Sequence, residues 1–346
     1  MKRLLVLLAL LGLLVAGCGG SSKSTSGNNT TTAQSGGKSG TGKKIGLVTD
    51  IGGLNDRGFN HLSYVGLLRA QRELGVTQQV FQAKSTQDYV PNLSTFARQG
   101  YDLTIGVGFT EAQAIDSAAS TFPNSKFAIV DVDQTTEPHK PKNLLGLLFK
   151  EQETGYLVGY LAALEAKRMP GPDIIGSVGG QKQPPVDRFI AGYQAGAKAA
   201  DPGIKLLNGY SQDFSDQAKC KQIALNQIEQ GAIAVFQVAG GCGLGALDAA
   251  KEKNVWGIGV DADQSFLGPH ILTSAVKRVD TAVLDAIKLV VDGNFKGGNI
   301  TFGLKDSGVG IGKISSKVPQ SEVAKINQIR ADIISGKIKN IPTQVP

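Results

Sequence analysis

The chain has 346 residues, 45 of them glycine and 13 proline, with 41% hydrophobic, 19% charged and 6% aromatic side chains. That length suits two packed lobes, and the composition excludes wholesale disorder, collagen-like repeats and a dense disulfide scaffold. Its 36 basic and 29 acidic residues leave +7, a balance that by itself points to a nucleic-acid or membrane-surface partner. Four of the cations, Lys2, Arg3, Lys23 and Lys38, lie in residues 1–42, which hold no acid, so the remainder sets 32 basic against 29 acidic side chains. No nucleic-acid partner is expected.

Residues 1–17, MKRLLVLLALLGLLVAG, set two cations before a leucine-rich run that ends in small residues and is too short to span a bilayer comfortably. This is the pattern of an export signal. VAGC resembles the lipobox of bacterial lipoproteins, which implies lipidation of Cys18 and a place on the extracytoplasmic face of the cell membrane. A plain secretory signal with an incidental cysteine is the alternative. Residues 18–42 follow as a linker of Gly, Ser, Thr and Asn, with Ala33 its only apolar side chain after Cys18. Such a tether reaches roughly 25 to 30 Å.

From Lys44 onward, short β-branched runs alternate with helical patterns. KIGLVTD (44–50), VFQAK (80–84), LTIGVG (103–108), KFAIVDVD (126–133) and LLGLLF (144–149) are expected strands. After Glu151 the rhythm repeats with DIIGSVG (173–179), KLLNGY (205–210), AIAVFQV (232–238), VWGIGVD (255–261) and ILTSAV (271–276), each followed by a helix candidate. Near-continuous apolar strands separated by helices imply parallel sheets covered on both faces, so the fold class is α/β with two doubly wound lobes. Residues 59–74 illustrate the helices: Phe59, Leu62, Val65 and Leu68 fall on one stripe, Asp56 is placed to cap the start, and Gly75 closes the end.

In such sheets ligands bind beyond the carboxyl ends of the strands. Aspartates recur there: Asp50 and Asp56 after the first strand, Asp131 and Asp133 ending the fourth, and Asp261 and Asp263 ending the ninth. Phe59, Phe109, Phe189 and Phe214 are interleaved with them. Carboxylates around one cleft repel anions and accept hydrogen bonds from hydroxyls, amines or amides, while phenylalanine faces stack a planar ring. The combination fits a ribose joined to a base. Taken singly, a strand-end aspartate more often caps a helix or forms a turn; the recurrence is what points to a site.

The glycine turn AGGCGLG (239–245) lacks the spacing of a nucleotide fingerprint and is read either as a close backbone approach to ligand or as a structural turn. GVGIGKI (308–314) fails as a phosphate loop. His61, His139 and His270 show no zinc spacing and no G-x-S-x-G elbow is present, so neither a metal, a cofactor nor an enzymatic activity is expected. Cys220 and Cys242 would lie on the carboxyl face of one sheet, and export favours a disulfide between them over two buried thiols.

Several segments together resemble the basic membrane lipoprotein (BMP) family, the PnrA-like substrate-binding lipoproteins of ABC importers. They are GLVTDIGGLNDRGFN (46–60), KFAIVDVD, GYLVGYLAAL (155–164), VDRFIAGYQAGAKA (186–199), DFSD (213–216), AGGCGLGALDAAKEK (239–253), GIGVDADQS (257–265) and LTSAVKRVD (272–280). The resemblance implies a type I periplasmic-binding-protein fold whose two lobes close on ligand about a multi-segment hinge, with crossings near 149–152, 262–266 and 297–303. It divides the chain into an amino-terminal lobe, 43–150 plus 265–299, and a carboxy-terminal lobe, 151–264 plus 300–346. It further implies capture of nucleosides, purine nucleosides foremost, for an ABC permease and ATPase. Phe59 and Phe189 would sandwich the base, with Phe214 the substitute second ring. Asn60 and Asp131 would read the base edge, Asp261 would hold the ribose hydroxyls, Lys277 and the Gly240 backbone would add sugar contacts, and Asp50 would shape the site. Receptors for other aromatic solutes such as riboflavin, and surface sensors or adhesins, are the alternatives.

Overall fold

The computed structural model describes residues 38–346. The expected signal at 1–17, the lipidation site Cys18 and most of the linker lie outside the described residues. Residues 38–42, expected as the end of the tether, instead form a turn docked on the folded body: Gly40 N–H donates to Leu74 O at 2.8 Å, and the Lys38 ammonium reaches Arg72 O.

In chain order come β1 (Lys44–Thr49), α1 (Phe59–Leu74), β2 (Thr77–Gln82), α2 (Tyr89–Arg98), β3 (Leu103–Val107), α3 (Ala112–Thr121), β4 (Phe127–Val130) and β5 (Leu144–Phe149). Then follow α4 (Glu151–Arg168), β6 (Ile174–Gly179), α5 (Pro184–Ala200), β7 (Lys205–Tyr210), α6 (Gln217–Glu229), β8 (Ala234–Val238), α7 (Gly243–Glu252), β9 (Trp256–Asp261) and β10 (Ile271–Lys277). The last elements are α8 (Val279–Val291), β11 (Gly298–Phe302), β12 (Val309–Ile311) and α9 (Gln320–Ile334).

Two six-stranded sheets result, ordered β11-β5-β4-β3-β1-β2 and β12-β10-β9-β8-β6-β7. All pairings are parallel except β10 with β12. Central strands such as β3, β6, β8 and β9 are buried along their whole length, as strands covered by helices on both faces must be.

The lobe boundaries differ from those expected. The chain crosses at 149–151 and at 302–309, but the remaining crossing falls at 277–279, after β10, and not at 262–266. The cause is strand pairing: Ile271 to Val276 run alongside Gly257 to Asp261, which keeps residues 265–277 in the second lobe. Residues 300–302 belong to the first sheet through β11, and α8 packs on α1 of that lobe. The three crossings lie together, with Lys150 N–H donating to Phe302 O and Arg278 N–H to Gly308 O, both at 2.8 Å.

Two local expectations also change, and one segment gains an assignment. VWGIGVD is followed by a one-turn 3-10 segment, Ser265–Leu267, and not by a helix. The GVGIGKI segment supplies the antiparallel edge strand β12. In α1 the buried face is Asn60, Ser63, Leu67 and Ala70, one position round from the apolar stripe of Phe59, Leu62, Val65 and Leu68. Gly66 decides that rotation: a Cβ there would lie 2.5 Å from Asp280 O, so this bare face is the one that can meet α8. Asp56 does cap the helix, accepting from Asn60 N–H at 2.7 Å and His61 N–H at 3.0 Å, and Gly75 ends it at φ 79°.

Candidate functional site

The carboxyl ends of both sheets face one another across a cleft with about 620 Å³ of non-protein space, its open mouth included. Asp50, Phe59, Asn60, Asp131, Phe189, Gly240, Asp261 and Lys277 all line it, as do Phe109 and Phe214. Sequence reasoning missed Ile51 and Val186, which lend apolar surface to the walls, and Gln183, which adds an amide.

The strand-end aspartates divide by role. Asp133 accepts from Thr135 N–H at 2.8 Å and Asp263 from Ser265 N–H at 3.0 Å and Lys313 N–H at 3.1 Å; both shape loops. Asp56 caps α1 and reaches the wall. Asp50, Asp131 and Asp261 are buried and face the cavity. Asp131 and Asp261 have φ of 72° and 61°, a left-handed backbone that costs an ordinary side chain ~1 to 3 kcal/mol and accumulates at functional sites. The turn out of each strand thus aims a carboxylate into the cleft.

Asp50 is spoken for on one oxygen: Oδ1 accepts from Ile51 N–H at 2.6 Å, Tyr89 O–H at 2.7 Å and Thr110 O–H at 2.6 Å. Burial raises its pKa while those donors pull it back. Asn60 Oδ1 accepts from Asp50 N–H at 3.0 Å, which ties the first loop to α1.

Lys277 ends β10 with 1% exposure. Its ammonium donates to Asp131 Oδ2 at 2.6 Å and to Glu151 Oε1 at 3.1 Å. It also lies 5.0 Å from the ring centre of Phe59, 4.9 Å from that of Phe149 and 5.7 Å from that of Phe189. Burial works against this charge, but Asp131, Glu151 and Asp261 outweigh it and hold the pKa above the usual lysine range. The rings of Phe59 and Phe189 come from opposite lobes and meet at one cation, so they form the end of a slot between the lobes.

Burial pushes the Asp261 carboxyl up to about 7, against the pull of Lys277 and with a further push from Asp131. Burial likewise pushes Asp131 up to about 6, with Lys277 opposing and Glu151 adding. Asp131 Oδ1 is buried with no hydrogen-bond partner among the described residues. An acceptor left bare inside a cavity is a place for a ligand donor.

The glycine turn supports this wall from the second lobe. Gly240 is left-handed at φ 54°, and Cys242 N–H donates to Phe214 O at 2.9 Å, which ties the turn to the loop carrying Phe214. Cys242 is bonded to Cys220 with the two Cα atoms 5.6 Å apart. The mature protein, unfolded without reductant, is expected to show no reactive thiol from either cysteine; two reactive groups would exclude the bond. Closing a loop with a sequence separation of 22 contributes about 3 kcal/mol in the chain-entropy account.

The arrangement has a recognisable set of relatives. A family model described as Bmp, ABC transporter substrate-binding protein PnrA-like, matches residues 43–344. The chain is 37% identical over 327 residues to the ABC transporter nucleoside-binding protein BmpA of Lactococcus lactis subsp. cremoris, covering 87% of this chain and 90% of that one. It is 38% identical over 324 residues to an uncharacterised lipoprotein of Pyrococcus horikoshii, covering 90% and 77% respectively. Among solved structures it is similar to an ABC transporter system solute-binding protein from Aeropyrum pernix K1, with a TM-score of 0.79 at 28% identity over 87% of this chain and 94% of the other. A periplasmic-binding-type pair of lobes, one cleft between them and a family match across nearly all described residues agree: the chain belongs to the Bmp family of PnrA-like ABC transporter substrate-binding proteins, solute-binding partners of a permease and ATPase and not enzymes.

Proposed function

We propose that the protein captures nucleosides, purine nucleosides foremost, and presents them to its permease from a lipid anchor at Cys18 on the extracytoplasmic face of the membrane. The observation that carries the ligand reading is the pairing of two unlike walls: phenylalanine rings from opposite lobes, and beside them the buried carboxylates of Asp131 and Asp261. The rings suit a flat base. The bare Asp131 oxygen suits a base N–H, and Asp261 suits two vicinal hydroxyls. The name of the Lactococcus lactis relative supports the nucleoside, and the naming of Pyrococcus relatives as lipoproteins supports the anchor.

Isothermal titration with guanosine, adenosine, inosine and cytidine, and with riboflavin for comparison, tests the reading. Saturable binding of one or more nucleosides is the expected result. Binding of riboflavin alone, or of none of the five, rejects it.

A further inference from the structure

Glu151 is fully buried, does not line the cavity, and yet sits at the centre of the charges behind it. It is the first residue of α4, immediately after the first crossing, and it accepts from two cations: Lys277 Nζ at 3.1 Å and Arg188 Nε at 2.6 Å. Lys277 is the last residue before the crossing into α8, and Arg188 precedes Phe189 on α5. The ion pairs therefore run from Asp131 in the first lobe through Lys277 and Glu151 at the hinge to Arg188 in the second.

We propose that Glu151, clamped by Arg188, is the positioning residue of the ligand site: it divides the Lys277 ammonium between two carboxylates so that Asp131 keeps one oxygen bare for the ligand. The inference rests on the nucleoside reading only for the choice of probe. Three facts on this site make the role specific. Lys277 has two carboxylate partners at unequal distances, 2.6 and 3.1 Å, so its place depends on the charge of each. Glu151 has its second oxygen occupied by Arg188, which lowers its demand on Lys277. Asp131 Oδ1 has no partner although it is buried. Without Glu151 the ammonium would turn wholly to Asp131 and Arg188 would be left unpaired. Without Arg188 the uncompensated Glu151 carboxylate would draw Lys277 away from Asp131. Either shift moves the cation that Phe59 and Phe189 share, and with it the end of the slot.

The test compares Glu151→Gln, Arg188→Met and Arg188→Lys with the wild-type protein in two measurements. In the ligand-free protein, carbon NMR follows the Asp131 carboxyl through its titration, assigned by its loss in Asp131→Asn. The charges facing Asp131 are Lys277, Glu151, Arg188 and Asp261. The midpoint is expected to fall in Glu151→Gln, which removes a neighbouring anion and frees Lys277, and to rise in Arg188→Met. In calorimetry with inosine, guanosine and adenosine, Glu151→Gln and Arg188→Met are expected to weaken binding about tenfold, within the ordinary range for coupled neighbours, while Arg188→Lys stays near wild type. A purely structural role would lower the melting temperature and leave Kd unmoved, whatever the Asp131 midpoint does, because loss of a neighbouring charge shifts that midpoint in any case; an unmoved Kd overturns the proposal. If Glu151→Gln does not fold, the Arg188 pair decides alone, since Met and Lys must separate in both measurements. Wild-type protein that binds none of the three nucleosides would reject the ligand reading and the positioning role with it, whereas wild-type binding with variants of unchanged Kd would reject the positioning role alone.

Discussion

Replacing Asp261 with alanine is expected to weaken nucleoside binding on the order of 100-fold, the largest loss from any single side chain in the cleft. Each ribose hydroxyl left without an acceptor in a closed site forfeits ~1 to 3 kcal/mol, and in the proposed binding mode Asp261 would serve two. Calorimetry reads the loss, and an affinity equal to wild type would remove Asp261 from the site. The fold should survive the change, because it deletes a buried anion.

The same carboxyl gives the binding a pH dependence. Its pKa is pushed up to about 7 by burial, and hydroxyl donors need the ionised form, so affinity should be near full by about pH 8 and fall as the pH drops through 7. The contribution of Asp261 to ligand-free stability has the opposite sign. With a folded pKa above the unfolded value of 3.8, the folded state holds the extra proton between about 4 and 7, so this group favours folding as the pH falls through that window. Calorimetry and thermal unfolding at pH 5.5 and 8 would separate the two trends. Affinity that is flat across this range counts against ionised Asp261 as the hydroxyl acceptor.

Gly159→Leu is expected to destabilise the second lobe by about 3 kcal/mol or more, read by urea or thermal unfolding. Gly155 and Gly159 on α4 face Gly192 and Gly196 on α5, and a Cβ on any of them would strike backbone of the other helix: Phe189 O, Tyr193 O, Gln152 O and Tyr156 O respectively. The helices touch main chain to main chain over a contact with no space to relax, so the substitution lies beyond the ~1 to 3 kcal/mol usual for overpacking. Separating them also displaces Phe189, which projects from α5 into the cleft. Gly310→Ala is the control, since a Cβ there meets nothing within 4 Å, and it should unfold close to wild type. A Gly159→Leu protein as stable as wild type would mean that the two helices are not in this contact.

Much of this was legible in the chain. Eight of the ten strands from Lys44 to Lys277 are readable because strands buried on both faces must be continuously apolar; β2 and β7 lie at sheet edges and are half-exposed, and β2 runs from Thr77 to Gln82 where 80–84 was expected. The rule that ligands gather beyond the carboxyl ends leads to Asp50, Asp131 and Asp261. The edge strands β11 and β12 are not readable in that way. β11 alternates in burial and β12 has three residues, so neither carries a long apolar run. Glu151 was equally hidden, because an acid at the start of a helix reads as an ordinary partner of the helix dipole.

The sequence by itself determined the α/β class, the two-lobed plan and the residue types of the cleft, since these follow from short-range periodicity and from chemistry local to each strand end. Only the tertiary structure decided where the chain crosses between lobes, which face of α1 is buried, and that Lys277 spends its charge on Asp131 and Glu151. The physical reason is common to all three: each depends on a partner distant in the chain, whether the β9–β10 register, the close approach allowed by Gly66, or an ion pair between residues 146 positions apart.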